Sequence, residues 1–155
     1  MTRTLAALLT CACCACATTP DGAPPPVSED IKVETITVEL LPEGRGSVGF
    51  VLDVKGHDDE RGKVVRVEWE LQLQGHDFAA GVATASVDLD AARHTRLMLE
   101  EPVVFGNMAF DARPRTVPVS VRGTVITRWP YSPDEKKAFA YTTRVAVRGA
   151  PVWER

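Results

Sequence analysis

Between residues 64 and 74 the chain alternates with a period of two. Val65, Val67, Trp69, Leu71 and Leu73 are apolar, and Arg66, Glu68, Glu70, Gln72 and Gln74 between them are charged or carry amides. Successive side chains of an extended backbone point to opposite sides, so this run predicts a β-strand with one face on a core and the other in water. A helix would scatter the five apolar residues around its circumference. The same period recurs at Val48, Phe50, Leu52 and Val54, and a first strand is predicted over Ile31–Leu41, closed by Pro42-Glu43-Gly44. Residues 78–89 read as a strand rich in Ala, Val and Thr, with Gly81 as a bulge or bend. His94–Val104 follows, broken near Pro102. Residues 116–129 place Val117, Val119, Val121, Gly123 and Val125 on one face, and residues 137–148 do the same with Phe139, Tyr141, Thr143, Val145 and Val147.

The stretches between these runs carry turn residues: Gln74-Gly75-His76-Asp77, then 88–93, then a loop over 130–136. Residues 105–114 have no clean period and are predicted to hold one short helical turn near 107–111. Seven strands with one apolar face each, separated by Gly, Pro and Asp turns, predict an all-β, seven-stranded antiparallel β-sandwich of immunoglobulin or fibronectin-III type, with at most one short helix. A closed barrel is the competing architecture, although nothing in the sequence specifies closure.

The first 30 residues are different. All four cysteines, Cys11, Cys13, Cys14 and Cys16, lie within six positions and follow Arg3 and the apolar run Leu5-Ala6-Ala7-Leu8-Leu9. A cationic start, an apolar stretch and small residues form an export signal, and the run is far shorter than the roughly 20 residues a membrane-spanning helix needs. One of the four cysteines is the expected lipid-attachment site. Leu8 stands at lipobox distance from Cys11, but Thr10 departs from the usual Gly or Ala; Cys13 and Cys16 follow alanines without that leucine. A signal that is removed without lipidation is the alternative. A disulfide framework or a metal knuckle fits poorly, because clustered cysteines cannot staple distant strands and histidines are missing nearby. Residues 17–30, with Pro24-Pro25-Pro26, read as an extended tether, about ten residues of which at about 3 Å each reach roughly 30 Å. The division is therefore 1–16 signal, 17–30 linker and 31–155 domain, placed on the periplasmic face of a bacterial membrane.

The domain is of ordinary single-domain size, and 45% hydrophobic residues suffice for a core. A net charge of -3 with mixed signs argues against a nucleic-acid surface. No nucleophile elbow, zinc-protease helix motif, phosphate-cradling loop or calcium loop is present. His57-Asp58-Asp59-Glu60 and His76-Asp77 are rich in metal-binding types. However, the strand between them places His57 and His76 roughly 35 Å apart. His94 returns to the His57 end, which leaves a His57, Asp58, Asp59 and His94 site conceivable beside the plainer reading of polar hairpin loops. No cofactor and no catalytic residue is expected.

Residues 36–147 resemble the late-embryogenesis-abundant (LEA) type 2 family, also called the water-stress-and-hypersensitive-response (WHy) domain. The resemblance is carried by Ser47–Lys55, by Val67-Glu68-Trp69-Glu70-Leu71-Gln72-Leu73-Gln74-Gly75 with Phe78-Ala79-Ala80-Gly81, by Leu97-Met98-Leu99, and by Val117-Pro118-Val119-Ser120-Val121-Arg122-Gly123-Thr124-Val125. The family's Asn-Pro-Asn after the second strand is replaced here by Lys55-Gly56-His57-Asp58-Asp59. The resemblance implies a sandwich with a short helix and no known catalysis, associated with dehydration and stress protection, and exported in many bacterial members.

Two functions are expected from these readings. One is a tethered protective lipoprotein whose partners are the membrane, through its anchor, and envelope proteins or partially unfolded clients. Its contact surface would be the outer strand face, Arg66, Glu68, Glu70, Gln72 and Gln74, with Trp129 and Tyr131 as a second aromatic candidate. The other is an assembly subunit offering an edge strand or the Trp129–Tyr131 loop to an envelope complex. For Trp129 itself, closing the open end of the core competes with display on the surface.

Overall fold

A computed structural model describes residues 26–41, 44–105, 109–111, 113, 115–147 and 150–152. The cysteine cluster, most of the linker, Pro42, Glu43 and Trp153 lie outside the described residues. The strands are β1 (Ile31–Leu41), β2 (Arg45–Lys55), β3 (Gly62–Leu73), β4 (His76–Leu89), β5 (His94–Val104), β6 (Ala109–Asp111), β7 (Arg115–Trp129), β8 (Ser132–Val147) and β9 (Ala150–Val152). Seven of them form a sandwich. One sheet runs β1-β2-β5 and the other β4-β3-β7-β8, and β6 pairs with β9 as a short ribbon. All strand pairings within the sheets are antiparallel. The fourth strand pairs with the third, whereas in the immunoglobulin constant arrangement it joins the sheet of the first, second and fifth.

The alternation read from the sequence builds the two inner faces. Val48, Phe50, Leu52 and Val54 of β2 meet Val67, Trp69, Leu71 and Leu73 of β3 and Val117, Val119, Val121 and Val125 of β7 in one core. Phe50 and Trp69 join the sheets edge to face, with ring centroids 5.1 Å apart. Full burial of such side chains stabilises by about 1.5–3 kcal/mol each. Gly81 lies beside Trp69 in the β3–β4 ladder, and a Cβ there would fall 2.6 Å from Cζ2 of the indole. The glycine therefore makes room for the largest ring of the core. At one end of β3, Phe78 and Phe105 close the sandwich at a centroid distance of 5.2 Å. At the other, Trp129 does so.

Four details differ from the sequence reading. Val65 is not in phase with Val67: the ladder shifts between Val64 and Arg66, so Val64 is buried and Val65 sits in a bulge. β1 likewise shifts between Val33 and Thr35, which lets both Val33 and Ile36 face the core. The expected loop over 130–136 shrinks to Pro130 and Tyr131, because Trp129 already pairs with Ser132 and β8 starts there. The helical turn expected near 107–111 is replaced, over its described part, by strand β6. The turn after β3 is formed by Gln74 (φ 55°) and Gly75 (φ 84°), two positive-φ residues whose twist suits a two-residue hairpin.

Candidate functional site

The bulge at Val65 fixes which β3 residues look outward: Arg66, Glu68, Glu70 and Gln72 share the outer face of the four-stranded sheet. Each has a neighbour. Arg122 of β7 donates from Nε (2.7 Å) and Nη2 (2.6 Å) to Glu70 Oε2. Arg66 Nη2 lies 2.9 Å from Glu68 Oε1. Gln72 Nε2 donates to Asp77 Oδ1 at 2.8 Å, and the Ser120 and Thr142 hydroxyls meet at 3.0 Å. Exposed pairs of this kind contribute about 0–1 kcal/mol each. Their main effect is that the charges of this face are largely neutralised by one another.

The pairing registers place Gly81, Trp69, Gly123 and Phe139 in one row across the sheet. The rings of Trp69 and Phe139 are buried, so along this row the outer surface is backbone. One flanking row is Ala80, Glu70, Arg122 and Ala140; the other is Val82, Glu68, Thr124 and Ala138. Because the outer positions of β4 and β8 in these rows are mostly alanine, an open groove of about 920 Å³ crosses the sheet. Val27 forms its wall at the β8 end, where it bridges Ala138 in parallel register. The groove is apolar at both ends and carries paired charges in the middle. It can hold an extended apolar segment by shape and hydrophobic contact, with the Glu70 carboxylate engaged by Arg122 and that of Glu68 by Arg66.

A second cluster was not foreseen. Lys137 points inward, its side chain only 7% exposed, with Nζ 2.9 Å from Asp30 Oδ2 and 3.6 Å from Glu135 Oε2. The same Glu135 oxygen accepts from Trp129 Nε1 at 3.2 Å and lies 3.1 Å from His57 Nε2. The His57 ring stacks on Trp129 at a centroid distance of 3.9 Å. The hydrogen bond from Lys137 holds the Asp30 carboxyl below the usual aspartate range, against the opposing effect of burial, with Lys137, Lys55 and His57 adding charge attraction. Around it, Ser28 N donates to Ala138 O (2.8 Å) and Lys55 N to Asp30 O (2.8 Å). This cluster therefore clamps the start of the domain to β8. Lys137 stands in phase with Phe139 and Tyr141 on the apolar face of its strand, and that misplaced charge was the one signal of it in the sequence. Nearby, the bidentate contact of Arg128 with Asp134 (2.9 and 2.8 Å) holds Asp134 below and Arg128 above their usual ranges.

The remaining candidates separate. His57 and His94 do come to one end, since Lys55 pairs with His94, but they engage different carboxylates: His94 Nδ1 lies 2.8 Å from Asp53 Oδ2, whereas His57 goes to Glu135. Asp58 contacts Lys55 at 3.6 Å. Among the described residues no group of three or more His, Cys, Asp and Glu could hold a metal ion. Trp129 is 3% exposed and belongs to the core, which corrects its candidacy for a surface; its turn partner Tyr131 is 95% exposed.

No protein-family model matches the sequence, and no curated protein matches it. Solved structures do match. The solution structure of AT1g01470 from Arabidopsis thaliana aligns with a TM-score of 0.60 and 11% identity over 88% of this chain and 93% of that one. The solution structure of a late embryogenesis abundant (LEA) protein, At2g46140.1, aligns with a TM-score of 0.59 and 11% identity over 77% and 71%. A crystal structure of a protein from Archaeoglobus fulgidus aligns with a TM-score of 0.51 and 11% identity over 74% and 97%. At this identity the likeness concerns the fold: the chain shares the sandwich of an LEA protein.

Proposed function

We propose that this chain is a non-enzymatic, membrane-tethered envelope protein of the LEA type 2 class, which protects membranes or partly unfolded proteins when water is withdrawn. The observation that carries this reading is the outer face of the four-stranded sheet: mutually paired charges around a shallow apolar groove, on a fold similar to that of an LEA protein. The paired charges leave no strong field of one sign, so contact is weak and sequence-tolerant. Such contacts separate client surfaces during drying and release them on rehydration. The apolar ends of the groove receive hydrophobic segments that are transiently exposed.

The tether belongs to the same reading. An acyl group on one of Cys11, Cys13, Cys14 and Cys16 would hold the chain at the periplasmic face of a bacterial membrane, and the clamp at Asp30 would transmit that attachment to a fixed point on β8. Two experiments test the two parts. Drying a dehydration-sensitive enzyme with the chain must preserve more activity than equal masses of an unrelated folded sandwich or of albumin. Replacing all four cysteines by serine must move the exported chain from the membrane fraction to the soluble one.

A further inference from the structure

The sandwich has four edge strands among the described residues, and three of them are guarded. A bare edge presents unpaired N–H and C=O groups to any passing chain, and natural sheets blunt it with charge, proline, a bulge or a cover. β1 carries Lys32, Glu34 and Glu39 and a bulge. β5 carries Arg96, Glu100, Glu101 and Pro102. β8 has Pro133 as its second residue, carries Lys136 and Arg144, and is capped where Ser28 N donates to Ala138 O.

β4 lacks charge and proline over most of its length, and the irregularities of its ladder with β3 fall at Phe78 and between Thr84 and Val87, which leaves residues 79–84 as a regular bare stretch. From Phe78 to Val87 it reads Phe-Ala-Ala-Gly-Val-Ala-Thr-Ala-Ser-Val, without charge or proline. A second observation concerns burial. Inward-facing residues of β3 are almost fully buried; on β4, Ala83 and Leu89 are buried but Phe78, Ala79, Ala85 and Val87 are only partly covered, as Tyr141 and Val145 are on β8. Leu99 on β5, the neighbouring edge of the other sheet, is also only partly covered. One added strand would extend the cover over these β4 positions. Val82 is 60% exposed on the outer side, at the β4 end of the groove.

We infer that the free edge of β4 receives an extended polypeptide segment from another protein, apolar and uncharged over roughly ten residues and basic at both ends. The charge requirement follows from Asp77 and Asp88, which bracket the uncharged stretch; Asp77 accepts from the neutral Gln72 amide, whereas Asp88 shares Lys63 at 3.4 Å, so the demand is stronger at the Asp77 end. It also disfavours a second copy of this chain. Two β4 strands paired antiparallel about their centre would set Asp77 of each against Asp88 of the other, and like charges directly opposite are destabilising. This inference rests on the reading of the domain as one that contacts partly unfolded proteins, and it names the kind of segment held.

The test uses the full chain and labelled synthetic peptides with an alternating Thr/Val core and either two lysines or two glutamates at each end, read by fluorescence anisotropy near 0.1 M salt. The lysine-flanked peptide is expected to bind, and the glutamate-flanked peptide at least about tenfold more weakly. Substituting Val82→Lys and Thr84→Lys together, both at exposed positions, is expected to weaken binding by at least about tenfold, or 1.4 kcal/mol, without changing thermal unfolding. Thr142→Lys on β8 is expected to leave it unchanged. No binding of the lysine-flanked peptide, or equal binding by the β4 double variant, would overturn the inference. A concentration-dependent dimer abolished by the double variant would overturn it too, by assigning the edge to a second copy. Protection during drying is read without peptide, so the edge inference can fail while the protective reading stands.

Discussion

Lys137 Nζ sits 2.9 Å from Asp30 Oδ2, a contact that spans 107 positions of sequence and fastens the residue before β1 to the last long strand. The lysine is buried and the aspartate is partly exposed, so the two ends of this pair are not equivalent.

Removing the aspartate strands a buried ammonium, with Glu135 at 3.6 Å as its remaining carboxylate. Asp30→Asn is therefore expected to cost about 1–3 kcal/mol, below the range for a fully buried pair because water reaches Asp30. Lys137→Met removes the charge itself and lets Asp30 hydrate, so its cost is expected to be smaller, about 0–1 kcal/mol. Urea unfolding of both variants measures the order; a larger loss for Lys137→Met would contradict the geometry.

The clamp also has a pH signature. Asp30 titrates lower in the folded chain than the usual aspartate value of about 3.9. Its contribution is therefore complete above that value and is lost as pH falls through the lower folded value. The stability gap between the native chain and Asp30→Asn is expected to be constant from pH 7 to 5 and to shrink below about pH 4. Denaturant melts at stepped pH read this directly, and a gap that widens in acid would reverse the sign.

Gly81 and Trp69 form a matched pair. Gly81→Ala is expected to destabilise by about 1–3 kcal/mol through overpacking against the indole. Trp69→Phe in the same chain should return part of that loss, because it removes the ring atoms the new methyl group meets. Additive losses in the double variant would show that the two do not communicate.

Replacing Arg66, Glu68, Glu70 and Gln72 together by alanine removes only exposed pairs. The folded state is expected to lose no more than about 1–2 kcal/mol, while protection of a co-dried enzyme falls toward that of albumin. Full protection by a folded variant would remove this face from the proposed function.

The strands of the core were legible because β2, β3 and β7 each carry four or more apolar residues at a period of two, and the limits of β1 and β5 coincide with clear turn or charge boundaries; the order in which they pair was not. The bulge at Val65 was not legible: Val64 and Val65 are both apolar, and only the pairing with β4 and β7 decides which one faces inward. The start of β8 was hidden because Ser132-Pro133-Asp134-Glu135 has no apolar alternation; it is held as strand by pairing with Thr127 and Trp129 and by the Arg128–Asp134 contact. Arg66, Glu68, Glu70 and Gln72 do share the outer face, whereas Gln74 falls in the turn after β3; the groove was not legible, because it depends on alanines and glycines from three other strands meeting in adjacent rows. The clamp joins Asp30, His57, Trp129, Glu135 and Lys137 from separate parts of the chain; Lys137 on an apolar strand face marks one member, and nothing in the spacing names the others.

The central claim is that this domain protects other molecules through a weakly interacting sheet face. The direct measurement is the activity of a dehydration-sensitive enzyme after drying and rehydration, titrated against increasing mass of the chain, of an unrelated β-sandwich and of albumin. The account predicts recovery that rises at a lower mass ratio with this chain than with either control. Superposable curves for all three proteins would contradict it.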